Sequence, residues 1–283
     1  MGTKWLGILM ALTALPGLAQ SLDGSTSLVM PDGRIPRQHR PRKVLPGMRP
    51  EYDAKNEVTV SYNNIWTGYA VTGSDFTQVH GSWTVAAVDC SKTPNSDSSE
   101  WVGIDGWDSN TVEQTGTDAD CNGKDPSYYV WYEFFPLNTI VINKVSIAPG
   151  DNFSASVTYD GNDEYTVSIT NDTANEAFSK KVKFTGADGS GAPPRNSAEW
   201  IMEMDGNKLS DFGINDFGQF YTGVSGGTDT ATDSAHSGAI HDFGSAVQKS
   251  ISTQSGSKNS PITALPSNLA SDGSSFKVTW KSE

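Results

Sequence analysis

The chain has 283 residues, 36% of them apolar and 10% aromatic, which is enough for one sizeable core or two small ones. Its formal net charge is −13, and 31 of the 33 acidic residues follow residue 50. The strong negative charge of the residues after position 50 argues against a nucleic-acid partner.

Residues 1–19 are predicted to be a secretory signal peptide. Lys4 precedes the apolar run WLGILMALTALPGLA, which ends in the small residues Gly17 and Ala19. A membrane anchor would need about 20 apolar residues followed by a charged stop. We therefore expect a secreted, extracellular protein without membrane attachment.

Residues 20–54 are predicted to form a basic pro-segment, because they have almost no periodic apolar pattern. The basic residues of 20–50 are Arg34, Arg37, Arg40, Arg42, Lys43 and Arg49, against the acidic pair Asp23 and Asp32. Opposite charges would draw this segment into an acidic groove at neutral pH, where it would act as the protein's own inhibitor. We expect low pH to protonate the groove, weaken that attraction and allow self-cleavage near residues 50–57.

Residues 55–283 are predicted to form one all-β domain. Apolar residues alternate in FSASVTY (153–159) and EYTVSIT (164–170), and the turn DGND lies between them, which predicts a hairpin. Similar short strands fit EVTVSY, TQVHGSWTVAAV, SEWVGIDG, SYYVWYEFFP, NTIVINKVSI, KKVKFTG and FKVTWK. Strands this short, with turns about ten residues apart, predict an antiparallel β-sandwich or jelly roll.

The two cysteines, Cys90 and Cys121, are predicted to form a disulfide, since a secreted protein meets an oxidising compartment. The bond would close a loop of about 30 residues and contribute about 3–4 kcal/mol in the chain-entropy model.

Three further motifs are weak. GVSGG (223–227) satisfies G-x-S-x-G, but Thr, Asp and Ser follow it instead of a helix. DADCNGKD (118–125) begins like a calcium loop, yet Tyr129 stands where the bidentate Glu belongs, which favours an Asx-rich turn. His236 and His241 lack a metalloprotease Glu between them. We therefore expect no metal, no cofactor and no Ser-His-Asp catalysis.

SAEWIMEM (197–204) is predicted to be a strand with Glu199, Ile201 and Glu203 on one face. One face of a curved sandwich sheet packs on the core and the other lines a groove. Neither Glu203 nor Gln114 belongs in an apolar core, so both are candidates for the groove.

Five segments in order carry a resemblance to a known family: NIWTGYAVTGSDFTQVHGSWTV (64–85), WVGIDG (101–106), QTG (114–116), WYEFFP (131–136) and AEWIMEMDG (198–206). Over 58–283 the chain resembles the glutamic peptidases, or eqolisins, which are secreted, acid-acting endopeptidases. The resemblance implies a concanavalin A-like jelly roll of two curved sheets, a catalytic dyad of Gln114 and Glu203, and insensitivity to pepstatin. The positions it implies for the groove lining are Trp66, Trp101, Asp105, Trp131 and Glu133. Tyr129 departs from the family, which often has Asp there.

A Gln beside a Glu suits peptide hydrolysis at low pH. Glu203 can take a proton from water where the pH is near its pKa, which is about 4.3 when unperturbed. Two adjacent carboxylates would share one proton, whereas the Gln114 amide stays a neutral donor for the oxyanion at any pH. The sequence thus predicts a monomeric acid endopeptidase acting on proteins and peptides.

Two other functions stay open. A jelly-roll glycoside hydrolase would use Glu133 and Glu203 as acid and nucleophile, about 5–5.5 Å apart in a retaining enzyme. A carbohydrate-binding domain would use the aromatic groove alone. Neither function needs Gln114 or a basic pro-segment.

Overall fold

A computed structural model describes residues 24–30, 32–42, 49–187 and 189–282 of the chain. The predicted signal peptide (1–19) and Lys43 of the predicted pro-segment lie outside the described residues. Within the described ranges, no helix has the length and apolar character needed to cross a membrane.

The described residues form nineteen strands and two short helical segments. The first ten strands are β1 (Thr26–Ser27), β2 (Glu51–Asp53), β3 (Val58–Asn63), β4 (Trp66–Thr72), β5 (Gln78–Thr84), β6 (Asp97–Ile104), β7 (Val112–Asn122), β8 (Asp125–Phe135), β9 (Ile140–Ile142) and β10 (Asn152–Gly161). The others are β11 (Glu164–Asn171), β12 (Glu176–Lys183), β13 (Ser197–Glu203), β14 (Ile214–Phe217), β15 (Thr230–Thr232), β16 (Ser237–Ala239), β17 (Val247–Thr253), β18 (Ile262–Pro266) and β19 (Phe276–Trp280). The helical segments are α1 (Gln219–Thr222) and a 3-10 segment (Ile240–Ala246).

One large sheet carries the side chains of the predicted site. Its strand order is β2–β3–β17–β4–β13–β6–β7–β8–β9–β1. Neighbouring strands are antiparallel except β3 and β17, which run parallel. The chain therefore returns to this sheet near its C-terminal end, in β17, to separate two strands that are consecutive in sequence.

The second sheet has the order β12–β11–β10–β5–β14–β19–β18. The short strand β15 also pairs with β5, and β16 pairs with β15. Because β17 pairs with β18 as well, the two sheets are continuous at one corner.

The main core lies between the two sheets. Val102 and Trp200 from the first sheet pack there with Trp83, Phe217 and Phe276 from the second, and all five side chains are fully buried. Burying large aromatic side chains supplies much of the hydrophobic free energy of folding. The predicted antiparallel β-sandwich is confirmed.

A second apolar cluster lies on the first sheet, built around Trp66, Trp101 and Trp131 and including Met30. Every residue of β6 and β13 is buried, on both faces of the sheet. One face is covered by the main core, and residues of the predicted pro-segment lie over the other.

The predicted hairpin at 153–170 is confirmed, with Phe153 opposite Asn171 and Tyr159 opposite Tyr165. Its turn residues Asn162 and Asp163 both have positive φ, as a type I′ turn requires. The predicted strand NTIVINKVSI is shorter than expected, because only Ile140–Ile142 pairs.

Cys90 and Cys121 form the predicted disulfide, with Cα atoms 5.3 Å apart. DADCNGKD is not a calcium loop: Asp118 and Asp120 lie inside β7, and the chain turns at Gly123 and Lys124 between the paired residues Asn122 and Asp125.

Candidate active site

Three rows of residues cross the centre of the large sheet on one face. Strand register gives the rows Trp66–Glu203–Ser99–Asp118–Tyr129, Gly68–Ile201–Trp101–Gly116–Trp131 and Ala70–Glu199–Gly103–Gln114–Glu133. Alternate residues of a strand point to the same side. The predicted dyad and all the predicted lining residues except Asp105 therefore share one face.

In the middle row, Gly116 lies between Trp101 and Trp131. A Cβ on Gly116 would lie 2.6 Å from Cβ of Trp101, so this close approach excludes a side chain at position 116. Trp101 in turn packs edge-on against Trp66, with ring centroids 4.9 Å apart. Gly116 therefore leaves space for the indole rings of Trp66 and Trp101 to pack on this face of the sheet.

Glu203 ends β13 and is 1% exposed. Its Oε2 accepts a hydrogen bond of 2.8 Å from Nε1 of Trp101. Burial and the neighbouring Asp205 raise the pKa of Glu203 well above its ordinary value, while the positive charge of His39 opposes that rise. The hydrogen bond from Trp101 thus fixes the position of the Glu203 carboxyl, and the surrounding charges and burial set its pKa.

Gln114 lies in β7 opposite Glu133 of β8. Its Nε2 donates hydrogen bonds to the backbone carbonyl oxygen of His39 (2.9 Å) and to Oε2 of Glu133 (3.3 Å). Glu133 therefore holds the Gln114 amide in the orientation that points an N–H at a carbonyl group.

The peptide unit between His39 and Arg40 lies between the two predicted catalytic side chains. Its carbonyl oxygen faces Gln114, and its N–H donates to Oε1 of Glu203 at 3.3 Å. The C=O and N–H of a trans peptide point in opposite directions, so Gln114 and Glu203 approach this unit from opposite sides. An amide donor at the carbonyl and a carboxyl at the nitrogen are the groups that peptide hydrolysis requires.

The His39 side chain fills an acidic pocket and is fully buried. Its ring stacks on Trp131, with centroids 3.5 Å apart. Nδ1 lies 3.2 Å from Oε2 of Glu133, and Nε2 lies 3.2 Å from Oδ2 of both Asp118 and Asp205. Burial alone would lower the pKa of His39, but the charges of Asp205 and Asp118 raise it well above its ordinary value.

Two arginines of the same segment reach a second group of acids. Arg37 pairs with Asp97, and its Nε lies 4.0 Å from Oδ1 of Asp120; Arg34 lies 3.5 Å from the same side chain. Burial and Asp118 raise the pKa of Asp120 to about 7, although Arg37 opposes the rise. Asp97 also accepts the backbone N–H of Asp205, so it links the arginine to the loop that carries the His39 pocket.

Arg42 anchors the far end of the segment. Its guanidinium lies 3.6 Å above the Trp107 ring and donates to Oγ of Ser61 at 3.0 Å, and its backbone N–H bonds to the carbonyl of Gly106. The Arg40 side chain, by contrast, is exposed. The segment is therefore fixed on both sides of the His39–Arg40 peptide unit.

Asp105 lies just beyond β6, apart from the other predicted residues. Its carboxylate accepts the backbone N–H groups of Arg195 (2.9 Å) and Asn196 (2.8 Å). Burial raises its pKa to about 6. Nearby, burial raises the pKa of Glu113 and Glu199 well above the ordinary value, so these carboxyls keep their protons to higher pH than exposed ones.

Asp118, Asp205 and Asp97 are site residues that sequence reasoning missed. Asp118 lies in DADCNGKD, whose spacing resembles a calcium loop, and Asp205 follows the glutamates of AEWIMEMDG without a motif of its own. His39 was counted only as part of a basic segment. No sequence spacing connects these residues, because they come from four separate parts of the fold.

Among the described residues, one group could hold a metal ion: His39, Asp118 and Asp205, whose ligand atoms lie within 4.8 Å of one another. The imidazole is already at hydrogen-bonding distance from both carboxylates, which is the geometry of an ion pair. GVSGG follows α1 instead of preceding a helix, so it lacks the geometry of a nucleophile elbow.

Comparison with known proteins agrees with this geometry. The model of the peptidase A4 family matches residues 64–263. The chain belongs to the peptidase A4 family, the glutamic peptidases.

Individual relatives share limited sequence identity with this chain. The chain is 26% identical to aspergillopepsin-2 of Aspergillus niger over 191 residues, and 32% identical to scytalidopepsin B of Scytalidium lignicola over 148 residues. These alignments cover 59% and 52% of this chain, and 65% and 53% of the relatives. The chain thus spans less than two thirds of the length of either relative.

Solved structures share the fold. A scytalido-glutamic peptidase bound to a transition-state analogue inhibitor has a TM-score of 0.61 at 21% identity. The eqolisin SCP-B, in a complex with the tripeptide Ala-Ile-His, has a TM-score of 0.59 at 22% identity. Each covers 78% of this chain and 100% of its own. The similarities do not favour a glycoside hydrolase or a carbohydrate-binding domain.

Proposed function

We propose that this chain is a secreted, acid-acting endopeptidase in which Glu203 is the general base and Gln114 stabilises the oxyanion. The main support is the His39–Arg40 peptide unit, whose carbonyl oxygen lies 2.9 Å from Nε2 of Gln114 and whose nitrogen lies 3.3 Å from Oε1 of Glu203. A substrate peptide lying along the same path would present its own carbonyl and nitrogen to the same two groups. Both groups belong to one chain, so the site is complete in a monomer.

The reaction follows from these positions. Ionised Glu203 takes a proton from water, the resulting hydroxide attacks the carbonyl carbon, and the carbonyl oxygen becomes an oxyanion held by the Gln114 amide. The C–N bond then breaks, and Glu203 gives the proton to the leaving nitrogen. The products are a carboxylic acid and an amine.

We also propose that residues 20–54 are an inhibitory pro-segment and residues 1–19 a signal peptide. Support for inhibition comes from residues 34–42, which fill the groove and leave Gln114 fully buried and Glu203 1% exposed. A substrate cannot reach the dyad while the segment remains there. The segment leads into β2, which pairs with β3, so the expected domain boundary at residue 54 falls in a hairpin turn.

The pH dependence of inhibition depends on the sign of the pKa shifts. His39 has a raised pKa in the docked segment, so docking takes up a proton at this residue. That contribution is fully present below pH about 6.5 and is lost as the pH rises through the docked pKa. Asp120 and Asp205, with pKa values of about 7, also hold protons in the docked state. Acid therefore does not expel the segment through these groups, and we propose that activation requires cutting the docked segment.

The proposed activity is tested on protein incubated at low pH, with denatured casein and with soluble glucans as substrates at about pH 3. We expect hydrolysis of casein and none of glucans. Pepstatin should not inhibit, because it is an inhibitor of peptidases that use a pair of catalytic aspartates. Glu203→Gln should remove activity without unfolding, because it deletes the base at almost constant volume. Glu164→Gln, at a solvent-accessible acid on the other sheet, is the matched control. Casein hydrolysis that survives in a folded Glu203→Gln protein would exclude this dyad.

A further inference from the structure

The pocket around His39 is built for a charged imidazole. Both ring nitrogens lie 3.2 Å from carboxylate oxygens, of Glu133 on one side and of Asp118 and Asp205 on the other. Wherever these carboxyls are ionised they only accept hydrogen bonds, so each ring nitrogen then carries a proton to bond there. The stacked Trp131 ring adds a cation–π contact at 3.5 Å. A neutral aliphatic side chain would remove the imidazole from these buried acids, and Glu133 alone would keep the Gln114 amide as a partner.

We infer, building on the proposed function, that this pocket is a substrate subsite selective for histidine on the acyl side of the scissile bond, and that His39–Arg40 is the bond the enzyme cuts in its own chain. The positions of two backbone groups support both assignments. His39 contributes the carbonyl group that Gln114 binds, so its side chain occupies the place of the acyl-side residue of a substrate. Arg40 contributes the nitrogen beside Glu203, so it occupies the place of the leaving group.

A cavity beside Arg40 and Glu203 could hold the attacking water. It has a volume of about 160 Å³ and is lined by residues that include Arg40, Pro41, Glu203 and Asp205. Such a cavity is polar and large enough for several water molecules. In the cut, a water oxygen bonds to the His39 carbonyl carbon, the His39–Arg40 C–N bond breaks, and the water proton reaches the Arg40 nitrogen through Glu203. The products end in a new carboxyl at His39 and begin with a new amine at Arg40.

A histidine in this pocket also affects the base. The charged groups around the imidazole are Asp118 of β7, Glu133 of β8, Glu203 of β13 and Asp205 just after β13. The positive charge of His39 lowers the pKa of Glu203 against the effects of burial and Asp205. A protonated histidine in the substrate therefore keeps the base ionised to lower pH than a leucine would. The positive charge of a bound histidine would therefore both favour histidine substrates and extend activity to lower pH.

The first test follows self-cleavage of the full chain after a shift to about pH 3.5, by N-terminal sequencing and intact mass. We expect the first new N-terminus at Arg40. His39→Leu should slow this cut about tenfold or more, the loss expected for a charge-assisted hydrogen bond. Ile35→Ala, at a residue that is 80% exposed in the same segment, should leave the rate unchanged. A first cut elsewhere in the parent chain would overturn the assignment of this bond.

The second test supplies the substrate in trans. Activated enzyme is given the peptide RIPRQHRPRKV, which is residues 34–44, and the same peptide with leucine in place of histidine. We expect kcat/KM to be about 10–100-fold higher for the histidine peptide, and the acid limb of its kcat profile to lie at lower pH. Asp205→Asn should remove most of this preference, measured as the ratio of kcat/KM for the histidine peptide to kcat/KM for the leucine peptide in the same variant. Equal rates on both peptides, with casein still hydrolysed, would overturn the subsite; failure to hydrolyse casein would instead reject the proposed function.

Discussion

The indole N–H of Trp101 donates a 2.8 Å hydrogen bond to Oε2 of Glu203 from the neighbouring strand. The other oxygen, Oε1, faces the nitrogen of the His39–Arg40 peptide unit. The two carboxylate oxygens thus have separate partners: one is bonded to the sheet, and the other to the backbone of the covering segment.

Trp101→Phe should raise the pKa of Glu203, because a hydrogen bond to a carboxylate favours its ionised form and this bond would be lost. We expect kcat to fall about tenfold and the acid limb of the kcat profile to move to higher pH. Trp280→Phe is the control, since the indole N–H of Trp280 has no hydrogen-bond partner. An unshifted acid limb in a folded Trp101→Phe protein would mean that this bond does not control the base.

Gln114→Glu should cause a large loss of activity. The Gln114 amide lies 3.3 Å from Oε2 of Glu133, so a new carboxyl would face an existing one, and its pKa would be raised. While protonated it can still donate to the oxyanion; once ionised it has no donor. We expect a rate loss of about 10²–10³, with the remaining activity confined to lower pH than in the parent enzyme.

The control for this change is Gln78→Glu, at an exposed glutamine in β5, which should behave like the parent enzyme. A Gln114→Glu enzyme with normal activity and an unchanged pH profile would show that Gln114 does not contact the reacting carbonyl. The dyad would then be wrong even though the fold is right.

Arg37→Gln should loosen the pro-segment at neutral pH. Arg37 is the ionic partner of buried Asp97 and also lies near Asp120, so its loss leaves Asp97 without that partner and Asp120 with Arg34 alone. In the inactive Glu203→Gln background, we expect backbone hydrogen exchange over residues 37–42 to speed up about tenfold at pH about 7.5. At about pH 4 the difference should shrink, because Asp120, whose pKa burial raises to about 7, is then protonated.

The matched control for this experiment is Arg49→Gln, at an exposed arginine outside the groove contacts. It removes the same charge from the same segment. If both variants accelerate exchange equally, overall charge and not the Arg37 ion pair holds the segment.

The protein should be more stable in acid than at neutral pH. Burial raises the pKa of Glu100 to about 8, although its carboxyl accepts hydrogen bonds from Asn215 and Thr117. In the unfolded chain the same group titrates near 4.3, so the folded state holds more protons between these values and the free energy of unfolding falls as the pH rises. This one residue accounts for a change on the order of 3–5 kcal/mol.

Urea unfolding of the Glu203→Gln protein at about pH 4 and pH 8 measures this slope without self-digestion. Adding Glu100→Gln should flatten it, since an amide does not titrate, whereas adding Glu164→Gln at a surface acid should not. A slope that Glu100→Gln leaves unchanged would locate the pH dependence in other buried carboxyls such as Asp229.

The part of the fold that sequence predicts best is the sheet with one solvated face. Strands β10 and β11 alternate apolar and polar residues, because only one of their faces is buried. The sequence does not predict β7, because apolar residues do not alternate in VEQTGTDADCN, yet ten of its eleven residues are buried. Its cover comes from residues that lie about 80 positions earlier in the chain, such as His39, and no local pattern records that contact.

Some residues of the site are also predictable from local sequence, and others are not. Gln114, Glu203 and the three tryptophans were predicted through short motifs, and strand register brings them onto one face. The acidic pocket was not predicted, because Asp118 and Asp205 acquire a role only when the loop after β13 comes close to the middle of β7. Asp105 was assigned to the groove, and its carboxylate bonds to the backbone of residues 195 and 196; a role in substrate binding remains a prediction.

The covalent link between the segment at 34–42 and the sheet it covers has a kinetic consequence. While they are one molecule, the local concentration of inhibitor at the groove is set by the tether and reaches the millimolar range or more, however dilute the protein is. A single cut at residue 39 makes the N-terminal fragment a separate solute, whose rebinding then depends on its bulk concentration. Dilution after secretion would make activation effectively irreversible, and a concentrated, confined protein would stay latent longer than a dilute one.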